Sequence, residues 1–185
     1  MNFCSDCGAP VSLRIPLGDT LPRFICSACQ LVHYQNPKIV VGAIPEWGNQ
    51  ILLCRRAIEP RAGLWTLPAG FMENHETTIE GAARETFEEA RAMVAMGPLF
   101  SLYNLPHISQ VYLIYRASLL NLDFAAGVES LEVRLFHEGE IPWENLAFAV
   151  VHDILKLYFD DKRRGDFHFH VGEIKHAAKN LEITG

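Results

Sequence analysis

At 185 residues the chain can hold one ordinary domain with a sizeable core plus a small appended module, and it is too short for two full domains. Hydrophobic residues at 49% against 21% charged exclude a disordered or fibrous chain, and a formal charge of -6 argues against a broad basic face that tracks nucleic acid. No run of about 18 or more uncharged apolar residues occurs, and Met1-Asn2-Phe3-Cys4 lacks the basic-then-apolar layout of a signal peptide. A cytoplasmic protein without a membrane span is expected.

In chain order, Cys4-Ser5-Asp6-Cys7 and Cys26-Ser27-Ala28-Cys29 come first, two C-x2-C pairs separated by 18 residues. That spacing suits a closed four-thiolate zinc site in which a hairpin brings the pairs together. Iron would use the same ligands, but no other feature suggests electron transfer, so structural Zn²⁺ is preferred. Residues 1–36 are therefore read as a zinc ribbon. From about Lys38 the composition shifts to the buried strand pattern Ile39–Ile44, with a turn around Glu46–Asn49. Further strands are expected at Gln50–Arg56, Gln110–Leu119 and Glu132–Phe136. Cys54 reads as a buried strand residue without chemistry. Helices are expected at Thr77–Ala92 and Glu144–Asp160, where Leu146, Val150, Ile154, Leu157 and Tyr158 recur at helical spacing. The mixture is α/β, with a main domain over 37–165 and an extension over 166–185. In that extension His168 and His170 alternate with Phe167 and Phe169; the pair can bind metal, but an exposed strand face is the preferred reading.

Glu85, Glu88 and Glu89 fall on one face of the first helix at i, i+3 and i+4. Ile79, Ala83, Thr86 and Ala90 gather on another side as the inward stripe. Like charges at this spacing cost about 0.2–0.5 kcal/mol per pair, so a cation is an attractive partner. The plain alternative is a solvated acidic face. Upstream, Pro68 and Gly70 interrupt regular structure in Trp65–Phe71 and let the backbone approach a ligand. Arg55, Arg56 and Arg61 are candidates to clamp phosphates. Trp47, Trp65, Tyr34 and Phe71 are candidates to stack on a base, although each taken singly fits a core position.

Gly70, five residues, Glu76, seven residues, then Arg84-Glu85-Thr86-Phe87-Glu88-Glu89 resembles the Nudix box. The resemblance implies a Nudix α/β/α sandwich with a mixed β-sheet behind the zinc ribbon. It also implies a catalytic Mg²⁺ or Mn²⁺ held by Glu85 and Glu89, by Glu88 directly or through water, and by the Ala69 carbonyl. Arg84 would orient the carboxylates and Glu76 would pair with it, a structural task. A further acidic ligand is expected after the box, with Glu129 preferred to Glu132. The proton acceptor stays open between Glu129 and Glu88. Where the family has a second glycine this chain has Arg91, which either turns left-handed at about 1–2 kcal/mol or lets the helix run on.

Tyr34-Gln35-Asn36-Pro37-Lys38, Gly63–Gly70, Glu129–Glu132 and Phe167–His170 are similar to the zinc-ribbon branch, and most to the plant chloroplast FAD and ADP-ribose pyrophosphatases. That similarity implies a small-molecule nucleotide substrate, no nucleic acid, and a homodimer. NADH ranks lower, because Leu105-Pro106-His107-Ile108-Ser109-Gln110 replaces the segment usual in NADH pyrophosphatases. A non-catalytic ligand-sensing protein is the alternative from another class.

Overall fold

The computed structural model describes residues 1–175; the rest of the C-terminal extension lies outside the described residues. The chain divides into two compact units, Met1–Pro37 and a second that begins at Lys38. The first is a three-stranded antiparallel sheet of β1 (Val11–Arg14), β2 (Arg23–Cys26) and β3 (Val32–His33). It buries little apolar surface: Ile25 and two cysteines are its buried hydrophobic residues, while Phe3, Leu13, Ile15 and Leu17 are exposed. Units of fewer than about 40 residues rarely fold on so small a core without a metal or disulfide.

The second unit carries β4 (Lys38–Trp47), β5 (Gln50–Arg56), the short β6 (Trp65–Thr66) and β7 (Ala69–Phe71), and α1 (Thr78–Ala90). After these come β8 (Val94–Leu105), β9 (Gln110–Leu119), β10 (Ser130–His137), α2 (Ala149–Arg164) and β11 (His170–Glu173). The main sheet runs β10-β5-β4-β9-β8-β11, with β6 on β5 and β7 on β4. It is mixed: β4 and β9 are parallel, as are β8 and β11, whereas β8–β9 and β5–β10 are antiparallel.

Period-two alternation explains why the strand sequences read as continuous apolar runs. On β5, Ile51 and Leu53 enter a core cluster with Val150, Ile154, Leu155 and Tyr158 of α2, whereas Leu52 and Cys54 pack with Ala90 at the end of α1. On β4, Ile44 joins the α2 cluster and Val41 joins Ala82 of α1. Both faces are covered, so no polar face is needed. Among the described residues no helix is long and apolar enough to cross a membrane.

Four departures from the sequence reading have physical causes. β4 runs on to Trp47, through the expected turn at Glu46. β8 was not among the expected strands; Gly97 and Pro98 interrupt its alternation, and the strand absorbs them at register shifts between Met96 and Ser101. The second helix begins at Ala149 and runs to Arg164, and Trp143–Asn145 forms a separate 3-10 turn. The inward stripe of α1 is Gly81, Ala82, Thr86 and Ala90, joined by Glu85 and Glu89, while Ile79 is exposed. Packing and carboxylates therefore share one side of α1.

Candidate active site

In the first unit, Cys4 Sγ stands 3.7 Å from Cys29 Sγ and Cys7 Sγ 3.4 Å from Cys26 Sγ, and all four ligand atoms lie within 4.8 Å of one another. Four sulfurs at tetrahedral Zn–S distances would be spaced by about 3.8 Å, so the set fits that ion. Backbone N–H groups of Ala28 and Cys29 donate to Cys26 Sγ. The Cys29 N–H bond leads in holding the Cys26 thiol down at about 6 against the opposing effect of burial, which prepares a thiolate.

In the second unit, Thr77 caps α1: its hydroxyl accepts from Glu80 N–H, and Glu80 accepts from Thr77 N–H at 2.8 Å. Arg84 then gathers the box. Its Nε and Nη2 donate to both oxygens of Glu76 at 2.9 Å, and Nη1 donates to Glu85 at 2.8 Å and to Glu88 at 3.1 Å. Nη2 also reaches the Phe71 carbonyl at 3.1 Å, which ties β7 to the helix. The Arg84 guanidinium, helped by Glu73 N–H, pulls the Glu76 carboxyl down to about 2.

Glu89 is 7% exposed and its Oε2 has no protein hydrogen-bond partner. Burial first, then the charges of Glu85 and Glu129, push its carboxyl up to about 8, against hydrogen bonding from the Ala69 backbone and the field of Arg56. Burial also raises Glu85, with Arg84 opposing. A buried, unpartnered carboxylate oxygen beside two further carboxylates is poorly satisfied by protein alone, and a divalent cation answers both deficits. At Gly70 a Cβ would stand 2.4 Å from the Glu85 carboxyl atoms, so only glycine lets this loop lie against the ligand. Thus Glu85, Glu88, Glu89 and Glu129 with the Ala69–Gly70 backbone fit a divalent metal. The carboxylates are spread more widely than the cysteines, which are the one such cluster within 4.8 Å among the described residues.

Glu129 reaches the site through a contact that the sequence did not reveal. The last carbonyls of α1 are capped from afar: Ala125 N–H donates to Ala90 O and Gly127 N–H to Glu89 O, both at 2.9 Å. A Cβ on Gly127 would meet Glu88 O at 1.8 Å. Arg91 takes the left-handed conformation, φ 52°, and its N–H closes on Phe87 O. The helix thus ends where a glycine would end it. Glu132 lies on β10 instead, with its carboxylate 3.7 Å from Arg55.

These side chains face a cleft of about 1080 Å³ that also takes in Arg56, Arg61, Phe71, Tyr112 and Phe148. Arg56 Nε donates to Pro60 O, and its guanidinium lies 5.2 Å over the Phe148 ring. Phe71 is half exposed, with Lys38 Nζ 4.6 Å from its ring. Three sequence candidates stand elsewhere. Trp65 packs edge-on to Phe136 at 4.9 Å in the core, and Arg55 is turned to Gly63 O and Glu132, away from the cleft lining. Adjacent strand residues point to opposite faces, so Arg55 and Arg56 cannot both enter. Phe148 and Tyr112 carried no sequence signal. Trp47 does not line the cleft either, and Cys54 is buried, with its thiol pushed up by burial. His170 is not on an exposed face: its Nε2 lies 2.7 Å from the buried Asp161 carboxylate.

Residues 36–162 match the NUDIX domain, and residues 2–35 match the Nudix N-terminal zinc ribbon. The chain belongs to the Nudix family. As a Nudix protein it is 30% identical over 121 residues to an ADP-ribose pyrophosphatase of Methanocaldococcus jannaschii, covering 62% of this chain and 69% of that one. It is 37% identical over 95 residues to the NAD-capped RNA hydrolase NudC of Edwardsiella ictaluri, covering 50% of this chain but only 34% of that relative's length. A crystal structure of a NUDIX hydrolase from Nitrosomonas europaea superposes with TM-score 0.93 at 61% identity, covering 95% of this chain and 100% of that one. The box and these relatives make the chain a Nudix pyrophosphohydrolase, of a family that uses divalent metals, with a zinc-ribbon domain whose four cysteines lie together.

Proposed function

We propose that the chain hydrolyses the pyrophosphate bond of ADP-ribose or FAD, giving AMP with ribose 5-phosphate or FMN, and that it uses Mg²⁺ or Mn²⁺. The observation that carries this reading is the unpartnered buried Glu89 oxygen among Glu85, Glu88 and Glu129 in a cleft of about 1080 Å³. That volume lies just above the usual range for small-molecule sites, roughly 300–1,000 Å³, and suits a two-sided substrate. The identity to the M. jannaschii protein supports ADP-ribose. The resemblance of Glu129–Glu132 and Phe167–His170 to FAD and ADP-ribose pyrophosphatases supports the same pair.

When bound, the metal neutralises phosphate oxygens and makes its water a better nucleophile. Glu85, Glu88 and Glu89 would hold it with the Ala69 carbonyl and Glu129. Arg84 keeps the carboxylates from repelling one another apart, and Glu76 keeps Arg84 in place. Arg56 offers a guanidinium to a phosphate while stacked on Phe148. Phe71 presents a ring face to the base or flavin. Glu129 or Glu88, both exposed, accepts the water proton. The second reading is hydrolysis of an NAD-type dinucleotide, which the NudC identity favours. A cytoplasmic homodimer completes the proposal and is checked by sedimentation.

The test is turnover of ADP-ribose, FAD, NADH and an NAD-capped RNA with Mg²⁺ or Mn²⁺, repeated with Glu89→Gln. Turnover of ADP-ribose or FAD that Glu89→Gln abolishes is expected. A preference for NADH or the capped RNA selects the second reading. No turnover of any of the four by the folded protein refutes both.

A further inference from the structure

The strand register lines up four residues across one face of the main sheet. Val40 on β4 is paired with Tyr112 of β9 on one side and with Phe71 of β7 on the other, and Tyr112 is paired in turn with Tyr103 of β8. Paired residues point to the same face, so the row reads Tyr103, Tyr112, Val40, Phe71. Its two ends differ in cover. Tyr103 is 6% exposed in the core cluster that α2 completes, Tyr112 is half-buried against that cluster, and Phe71 is 48% exposed. The α2 layer thus closes over β8 and leaves the row open toward β7, where Tyr112, Val40 and Phe71 all line the cleft.

Val40 is the shortest side chain of the three and forms a floor between two taller rings. Strand side chains stand roughly perpendicular to the sheet. A planar ring set above Val40 therefore lies one strand spacing, about 4.8 Å, from each aromatic, inside the roughly 4.5–7 Å range of interacting ring centroids. Lys38 Nζ approaches the Phe71 ring to 4.6 Å, but from two residues before Val40 on β4, and Lys38 does not line the cleft. The Tyr112 hydroxyl is a second sign of an open slot. A tyrosine packed on a core usually gives that group to a protein partner, yet here it makes no hydrogen bond among the described residues. The field of Arg56 acts on Tyr112 and on Glu89 alike, so the slot opens beside the carboxylates. β7 joins the two: the Ala69 backbone hydrogen-bonds Glu89, and Phe71 follows two residues, about 6.6 Å, along the same strand. A ribose with its phosphate bridges that interval.

We propose that Phe71 and Tyr112 are the two walls of a slot, floored by Val40, that takes the planar heteroaromatic ring of the nucleotide, adenine or flavin, and that Tyr112 is a specificity-determining residue. The proposal rests on the reading of the cleft as a nucleotide-hydrolase site and deepens it, because such a slot selects ring-bearing diphosphates over sugar diphosphates without a ring.

Calorimetric binding of AMP and of FMN to the full chain with Mg²⁺ tests it, with inorganic pyrophosphate as the probe that has no ring. Tyr112→Leu and Phe71→Leu are each expected to weaken the better-bound nucleotide about tenfold, within what stacking on one aromatic contributes, and to leave pyrophosphate binding as it was. Tyr112→Phe, which keeps the ring, is expected to recover most of the loss. Tighter binding of AMP assigns the slot to adenine, and tighter binding of FMN assigns it to flavin. Unchanged nucleotide affinity in Tyr112→Leu overturns the proposal. A loss that pyrophosphate shares overturns it too, since that marks damage to the whole cleft, and so does a folded wild-type protein that binds neither nucleotide. Binding is read without turnover: a protein that holds AMP or FMN through both rings yet hydrolyses no dinucleotide refutes the hydrolase reading alone.

Discussion

Gly70→Ala places a Cβ 2.4 Å from the Glu85 carboxyl carbon and both its oxygens, where ordinary contact begins at 3.4 Å. Loop and carboxylate must therefore separate by about 1 Å, a displacement that costs on the order of a hundredfold in rate when it moves a group at the reacting centre. Glu85 cannot swing freely, since Arg84 Nη1 holds it at 2.8 Å and Arg84 is itself locked to Glu76. Forcing the methyl in costs about 1–3 kcal/mol of stability, or roughly 2–12 °C in Tm for a chain of this size. The assay is Mg²⁺-dependent kcat with Tm recorded alongside, and Gly139→Ala, whose Cβ meets nothing within 4 Å, as the control. Gly70→Ala should fold, bind Mg²⁺ less tightly and turn over about a hundredfold more slowly, while the control matches the parent. Retention of activity within about threefold by Gly70→Ala would refute the view that loop and Glu85 are in obligatory contact.

Further outcomes follow from the same geometry. Gly127→Ala drives a Cβ into Glu88 O and should break the cap that places Glu129, lowering kcat/KM while zinc content, read by mass spectrometry, stays whole. For Glu89, with its carboxyl raised to about 8 in the metal-free fold, the sign is that of a group stabilising while protonated. That contribution is complete below the unfolded value of about 4.3 and disappears as pH rises through about 8, so metal-free Tm should fall over this window. Added Mg²⁺ or Glu89→Gln should flatten the slope; an equally steep slope in Glu89→Gln would contradict the assignment. Glu76, held at about 2, works the other way: its pairing with Arg84 stabilises above about 4.3 and is lost as pH falls toward about 2, an acid limb that Glu76→Gln should blunt in a pH–Tm scan. Chelation of zinc, or Cys26→Ser, should abolish hydrogen-exchange protection in β1–β3, because Ile25 and two cysteines are nearly all the apolar core that unit has.

What the sequence disclosed was carried by short spacings. Two C-x2-C pairs and Arg84 through Glu89 each specify local geometry within a few residues, and the structure places each set together, whereas the Thr77–Glu80 capping box was not read from the sequence. What stayed hidden depends on distant parts of the chain. The inward face of α1 follows Ala82 rather than the larger Ile79, because small side chains let the helix lie close to Val41 on β4. Trp65 and Arg55 were candidates on residue type alone, and strand alternation directed both away from the cleft. Asp161, nine residues before His170, gave no sign that it would bury its carboxylate to anchor a strand.

The cap on α1 ties the permitted length of that helix to an exposed segment more than thirty residues later. Were position 91 to carry the helix on by another turn, the new turn would occupy the space now taken by Ala125 and Gly127, and Glu129 would be evicted with them. Changes at 91 and at 125–127 are therefore expected to travel together in related chains, and a graft of the box into another scaffold must bring the distant segment along with it.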